Sequence, residues 1–282
     1  MEFIWNKIRL GDNIDHLKEM VENKIKFNLI LTDPPYNIGK NFGNDTDNMD
    51  LDEFLVGMDE RFNLMSQLLT NNGSIICFCI HHFVGDIQIL MRKYLQQRRM
   101  MIWYYENGMS RQTKEPVTEY EPFWWFSKTD KFVYNLDDVR VPYKSDRVKN
   151  PVYKIDTHGN KRAWNPHPKG RKRGDIWCYP TLSGKTFESE RVEHPTQKPM
   201  SLWNNLIRAF CPKDMNGKYE GKILDPFMGS GTTAACCEKM NREENHKIKW
   251  AGSELQQKWI DISNTRIEHE RNRVVEPNIF DI

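Results

Sequence analysis

Phe27-Asn28-Leu29-Ile30-Leu31-Thr32-Asp33-Pro34-Pro35-Tyr36 joins an apolar run to a double proline. A short apolar run bounded by a breaker is the pattern of a strand buried on both faces, so Phe27 to Thr32 reads as a core strand. Two consecutive prolines cannot extend a helix or donate to a ladder, and the strand must stop there. What remains at its carboxyl end is a rigid turn with one carboxylate, outward-pointing proline carbonyls and one aromatic ring. The carboxyl ends of strands in an open α/β sheet are where such folds bind ligands. A carboxylate beside a carbonyl can accept both hydrogens of an exocyclic NH2 group. A neighbouring tyrosine can stack on the flat ring carrying that group.

A second strand-and-turn unit lies far downstream. Lys222 to Asp225 reads as a short strand running into Pro226-Phe227-Met228-Gly229-Ser230-Gly231-Thr232-Thr233 and then a helix from Ala234. Glycines at a strand-to-helix turn let a ligand approach the backbone closely. The spacing falls short of the G-x-G-x-x-G of dinucleotide binders, which favours a ligand without a pyrophosphate. The run Ile248 to Glu254 reads as the next strand and ends in an acid, about 20 residues beyond the glycines, where a ribose diol is gripped in such folds.

Between these units the chain alternates strand and helix signals: helical apolar spacing over Leu51 to Leu69, a turn at Asn72-Gly73, a strand from Ser74 to Ile80, a helix from Phe83 to Leu95, and a strand from Met100 to Tyr105. Lys7 to Leu10 reads as a strand, Ser201 to Phe210 as a helix, and a final helix runs to about Arg273. This alternation predicts an α/β fold with a mostly parallel sheet and helices on both faces. Residues 139–191 lack periodicity and read as an irregular insert, which leaves 1–138 and 192–282 as one catalytic domain.

Composition bounds the function. With 282 residues the chain can bury a large core. The mean hydropathy of −0.75 and the absence of a long apolar run argue against a membrane span. Met1-Glu2-Phe3-Ile4-Trp5 has no basic flank and predicts no secretory signal. Six cysteines without framework spacing suit a reducing cytoplasm. Cys77 and Cys79 predict strand packing and no metal site. The net charge is only +2, but residues 140–191 hold thirteen Lys and Arg against five Asp and Glu, interleaved with Tyr143, Tyr153, Trp164, Trp177 and Tyr179. Such asymmetry marks a phosphate-contacting surface, with Lys169, Arg171, Lys172 and Arg173 as its densest run. Residues 37–50, rich in Asn, Asp and Gly and directly after the proline turn, predict a mobile loop that closes over that turn.

The motifs together resemble those of the β-group DNA amino-methyltransferases. D-P-P-Y comes first (Asp33 to Tyr36), a basic insert follows, and F-x-G-x-G comes last (Phe227 to Gly231), a circularly permuted motif order. H-P-T-Q-K-P stands intact as His194 to Pro199, and Glu119 to Lys128 resembles the family's strand ending in F-S-K. The resemblance covers nearly the whole chain. It implies a Rossmann-like methyltransferase sheet with a target-recognition insert, S-adenosylmethionine (SAM) as cofactor, and double-stranded DNA as partner. It also implies a cytoplasmic, prokaryotic or phage-encoded enzyme, with a homodimer and a cognate restriction endonuclease as further partners.

By the same resemblance, Asp33, Pro34, Pro35 and Tyr36 form the catalytic turn. Asp12, Asn13, Thr32, Asp33, Thr196, Lys198, Asp225, Phe227, Gly229, Ser230, Gly231, Thr232 and Glu254 form the cofactor site, with Lys198 and Thr196 at the methionine carboxylate. Adenine-N6 members usually carry D-P-P-Y and cytosine-N4 members S-P-P-Y, so Asp33 favours adenine. Alternatives are a cytosine-N4 enzyme, a methyltransferase acting on RNA or a protein amide, and a non-catalytic DNA-binding subunit that keeps the fold.

Overall fold

The computed structural model describes residues 3–40, 42, 47–108, 114, 116–144 and 152–273. Strand β1 (Lys7–Leu10) and helix α1 (Asn13–Glu22) lead into β2 (Phe27–Thr32). Next come α2 (Leu51–Leu68), β3 (Leu69–Phe78), α3 (Val84–Arg92), β4 (Gln96–Tyr104) and β5 (Tyr120–Ser127). The hairpin strands β6 (Val152–Ile155) and β7 (Lys161–Trp164) precede β8 (Ile176–Cys178). The chain then forms α4 (Met200–Phe210), β9 (Lys222–Asp225), α5 (Thr232–Glu244), β10 (Lys249–Glu254) and α6 (Gln257–Asn272).

Eight strands form one sheet in the order β1-β10-β9-β2-β3-β5-β4-β8. All neighbours pair parallel except β5, which runs antiparallel to both β3 and β4. β2 sits in the middle, and its alternation divides the core. Leu29 and Leu31 pack on the side of α4, α5 and α6, while Ile30 packs on the side of α1, α2 and α3. All three are fully buried, as a doubly covered strand requires.

Local chemistry explains the elements. Asp50 caps α2 by accepting from the Asp52 and Glu53 N–H groups, and Phe54, Met58, Phe62 and Met65 give it a buried stripe at helical spacing. Cys77 and Cys79 both pack on the α2–α3 side of the sheet, and Cys236 and Cys237 are buried on α5. The turn predicted at Asn72-Gly73 is instead a bulge inside β3. The register runs from Phe27↔Leu69 to Leu29↔Ser74, and a Cβ on Gly73 would stand 3.1 Å from the Phe27 carbonyl oxygen. Glycine permits that approach while the backbone stays extended.

The segment 139–191 contributes more than irregular chain. Its hairpin β6–β7 stands apart as a two-stranded sheet, but β8 pairs with β4 and extends the main sheet. Trp177 on β8 is fully buried, edge-on to Phe123, with Arg173 lying 4.6 Å over its ring. Among the described residues, no helix is long and apolar enough to cross a membrane.

Candidate active site

The two motif turns meet because β2 and β9 are adjacent parallel strands, with Leu29 opposite Ile223 and Ile30 opposite Leu224. The connection after β2 passes to one face of the sheet through α2, and the connection after β9 passes to the other through α5. This reversal opens a crevice at the strands' carboxyl ends. A cavity of about 310 Å³ fills it. Asp33, Pro34, Pro35 and Tyr36 line one part, Phe227, Gly229, Ser230 and Thr232 another, and Glu254 and Asp12 a third. Asn13, Thr196, Lys198 and Asp225 complete the predicted residues on its wall.

A buried polar cluster surrounds Asp33. Tyr36 Oη lies 2.5 Å from Asp33 Oδ1 and 2.9 Å from Glu121 Oε2. The Lys198 ammonium donates to Asp33 Oδ2 and lies 3.2 Å from Glu121 Oε2. Burial raises the Asp33 carboxyl above the usual carboxylate range, and the Glu121 charge adds to that, while the Lys198 ammonium opposes both. Burial works to lower the Lys198 pKa, but the two carboxylates outweigh it and the net direction is up. Lys198 therefore stays charged, with Asp33 and Glu121 as its protein partners. The reason is positional: it stands immediately before Pro199 and α4, facing the turn after β2.

Asp225 is committed to the fold. It accepts from Thr233 Oγ1 at 2.6 Å, Thr32 Oγ1 at 3.1 Å and the Phe227 N–H at 3.2 Å, which ties β2, β9 and α5 together. Burial pushes its carboxyl up to about 7. Thr32 is fully buried behind Asp225 and does not reach the cavity wall; neither does Gly231, which packs against Ser263. Asn13 donates to the Pro226 carbonyl at 2.9 Å and accepts from Arg61, while Asp12 caps α1 and pairs with Arg61 at 3.0 Å. Asn13 thus ties the start of the glycine loop to α1, and Arg61 links Asn13 with Asp12.

The glycine loop has clear requirements. Gly229 (φ +50°) and Gly231 (φ +73°) occupy the left-handed region, and a Cβ on Gly229 would stand 3.0 Å from His194 Nε2. Burial lowers the His194 pKa to about 4, helped by the Lys198 and Arg266 charges, so the ring is neutral near pH 7. It packs edge-on against Trp259 and accepts from the Thr196 N–H at 3.3 Å.

Sequence reasoning missed Glu121, Arg61 and Trp259. Glu121 carries the clearest signal, an acid near the start of an otherwise apolar strand. Because β5 is antiparallel, its beginning lies at the edge where the parallel strands end. Beyond Tyr36 the chain is pinned by Asp47, which accepts from the N–H groups of Asn37, Ile38 and Lys40. Of residues 37–50, for which mobility was predicted, 41 and 43–46 lie outside the described residues. In the basic run, Lys169 and Lys172 are exposed, whereas Arg173 donates to the Val139 carbonyl at 2.9 Å.

This sheet order, with a glycine loop and an acid-proline turn on one crevice, defines a Rossmann-like methyltransferase. A family model described as DNA methylase matches residues 27–265. The chain belongs to that family, the DNA amino-methyltransferases with the β-group motif order. Type II methyltransferase M1.MboII of Moraxella bovis is 34% identical over 247 residues, covering 84% of this chain and 89% of its own. Two solved structures share the fold. M1.HpyAVI in complex with SAM has a TM-score of 0.61 at 20% identity, over 93% of this chain and 98% of that one. PvuII DNA methyltransferase, cytosine-N4-specific, has a TM-score of 0.63 at 14% identity, over 97% and 87%.

Proposed function

We propose that this protein transfers a methyl group from SAM to the N6 amino group of adenine in double-stranded DNA, with the target base turned out of the helix. The observation that carries this reading is the shared cavity, lined both by the Asp33–Tyr36 turn and by the glycine loop. The donor set suits the cofactor. Glu254 accepts one backbone N–H on each carboxylate oxygen and keeps further lone pairs for a ribose diol. Phe227 and Trp259 offer apolar walls for an adenine ring. When bound, SAM supplies an activated methyl group.

Asp33 and the Pro34 carbonyl accept the two hydrogens of the target amine. That turns the nitrogen lone pair toward the cofactor side of the cavity and stabilises the positive charge developing on nitrogen. Asp33 then takes the proton that the amine gives up. Tyr36 stacks on the turned-out base, worth about 1–3 kcal/mol, which partly offsets its unstacking. Residues 139–191 serve as the target-recognition segment, with Lys169, Arg171 and Lys172 facing phosphates and Arg173 ordering the run. Sedimentation of the free protein tests the expected homodimer.

Adenine is chosen over cytosine because the turn begins with Asp33. The cytosine-N4 reading keeps one support, the likeness in fold to the PvuII enzyme. Mapping modified bases by sequencing after expression in an unmodified host tests both, giving base and recognition sequence together. N4-methylcytosine as the sole product ends the adenine reading. A non-catalytic subunit is tested by titration with SAM, which a pure DNA-binding module does not take up.

A further inference from the structure

Both oxygens of the Asp33 carboxylate are engaged, Oδ1 by the Tyr36 hydroxyl and Oδ2 by the Lys198 ammonium. On the functional reading above, a target amine must bring its hydrogens to this same carboxylate, so the ammonium stands in its place. A second anion is within reach, because Glu121 Oε2 lies 3.2 Å from Lys198 Nζ. Water has little access: the Lys198 side chain is only 5% exposed, and the Tyr36, Phe78 and Trp103 rings lie 5.5, 5.6 and 5.9 Å from Nζ. A buried ammonium that lost its carboxylate without gaining another would be strongly disfavoured.

We propose that Glu121 is a positioning residue for methyl transfer, the second seat onto which the Lys198 ammonium moves when a base enters, freeing Asp33 for the amine. This inference rests on the functional reading above. The shift is small, since shortening a 3.2 Å contact to a charge-assisted hydrogen bond of about 2.8 Å suffices. Charge argues the same way. Two carboxylates and one ammonium leave a single negative charge in excess, the complement of the one positive charge that methyl transfer carries through the site. Without Glu121 the ammonium has only Asp33, where it competes with the amine and cancels the charge that should stabilise it.

The groups facing this pair come from several elements. Tyr36 and Lys198 touch Glu121, and Tyr105 and Cys79 feel its charge. Cys77 on β3 and Asp225 on β9 face Asp33. Burial is the main cause that holds the Asp33 carboxyl up, and the Glu121 charge reinforces it. Removing that charge lowers the Asp33 pKa, so the acid limb of activity, where Asp33 takes a proton, moves to lower pH.

The test uses the full chain and two duplexes carrying its mapped recognition sequence, one with adenine at the target position for single-turnover methylation and one with 2-aminopurine there to report base exit by fluorescence. For Glu121→Gln, the single-turnover rate is expected to fall about 100-fold and the fluorescence rise to shrink, with SAM affinity kept within about twofold. The acid limb is expected to move to lower pH. The Glu121→Gln, Lys198→Met double variant is expected to be no slower than Lys198→Met alone, because no ammonium is left to seat. A Glu121→Gln rate within about twofold of the parent, or penalties that multiply in the double variant, overturns the proposal. If Glu121→Gln does not fold, Glu121→Asp replaces it: its shorter reach slows turnover while the acid limb stays, and an unchanged rate overturns the proposal. A parent protein that leaves every duplex unmethylated sinks the functional reading itself.

Discussion

Glu254 Oε2 accepts a hydrogen bond from the Gly229 N–H at 3.0 Å, so the acid at the end of β10 fastens the glycine loop while it faces the cavity. Its other oxygen accepts from the Gln256 N–H at 3.0 Å. Burial raises its carboxyl against the pull of these backbone donors. Glu254→Gln leaves one backbone N–H facing an NH2 group and weakens the grip on a ribose. SAM affinity measured by calorimetry is expected to fall about 10- to 100-fold, the worth of one charge-assisted hydrogen bond. Unchanged affinity would remove Glu254 from the cofactor site.

Asp33 should separate chemistry from cofactor binding. It lines the cavity beside the Tyr36 hydroxyl at the end of β2, with β9 lying between that strand and the one that ends in Glu254. Asp33→Asn is expected to lower single-turnover methylation by at least about 100-fold while SAM affinity holds. Equal losses in both would show that the turn serves the cofactor first.

How much of this was legible follows from particular residues. Phe27 to Thr32 and Lys222 to Asp225 announced themselves as buried strands, because apolar runs stopped by proline have few other structures available. Their adjacency, and so the shared crevice, came from motif order. Helix α1 was not legible, since its buried face includes Asn13 and His16, which dilute the apolar stripe. The direction of β5 was not legible either, because Tyr120 to Ser127 reads as a strand in either orientation. Glu121 was lost with it: a parallel strand would carry it to the opposite edge of the sheet. The partners of Lys198 are set by tertiary contact alone, 165 residues from Asp33 along the chain.

Asp225 predicts a pH-dependent stability. Burial raises its carboxyl to about 7 in the folded protein, above the ordinary value of 3.8. The native state therefore keeps a proton that the unfolded chain gives up. That contribution is full below the ordinary value and fades as pH rises toward 7. In Asp225→Asn the position cannot ionise, so the decline in melting temperature between about pH 4 and pH 7 should flatten. A variant curve parallel to that of the parent would assign the slope to other groups.

Gly231→Ala tests the loop. Its φ of +73° disfavours any side chain, and the added Cβ would stand 2.8 Å from Ser263 Cβ. Ser263 itself donates to the Gly229 carbonyl at 2.7 Å, so the helix cannot retreat without loosening the loop. A loss of about 1–3 kcal/mol in unfolding free energy by denaturant titration is expected. Stability within error of the parent would show that α6 yields easily.

The basic run should divide in two under mutation. Lys169 and Lys172 are exposed, and removing a phosphate contact at either is expected to reduce the slope of log affinity against log salt by about 1. Melting temperature should not change. Arg173 behaves otherwise, since its Nε donates to the Val139 carbonyl and its guanidinium lies 4.6 Å over the buried Trp177 ring. Arg173→Ala should therefore lower the melting temperature and weaken DNA binding only through the disordered insert. Salt titrations of binding to a short duplex, run beside thermal melts, distinguish these outcomes. Should Arg173→Ala change the salt slope as much as Lys172→Ala while leaving the melt untouched, its guanidinium leaves Trp177 for a phosphate in the complex.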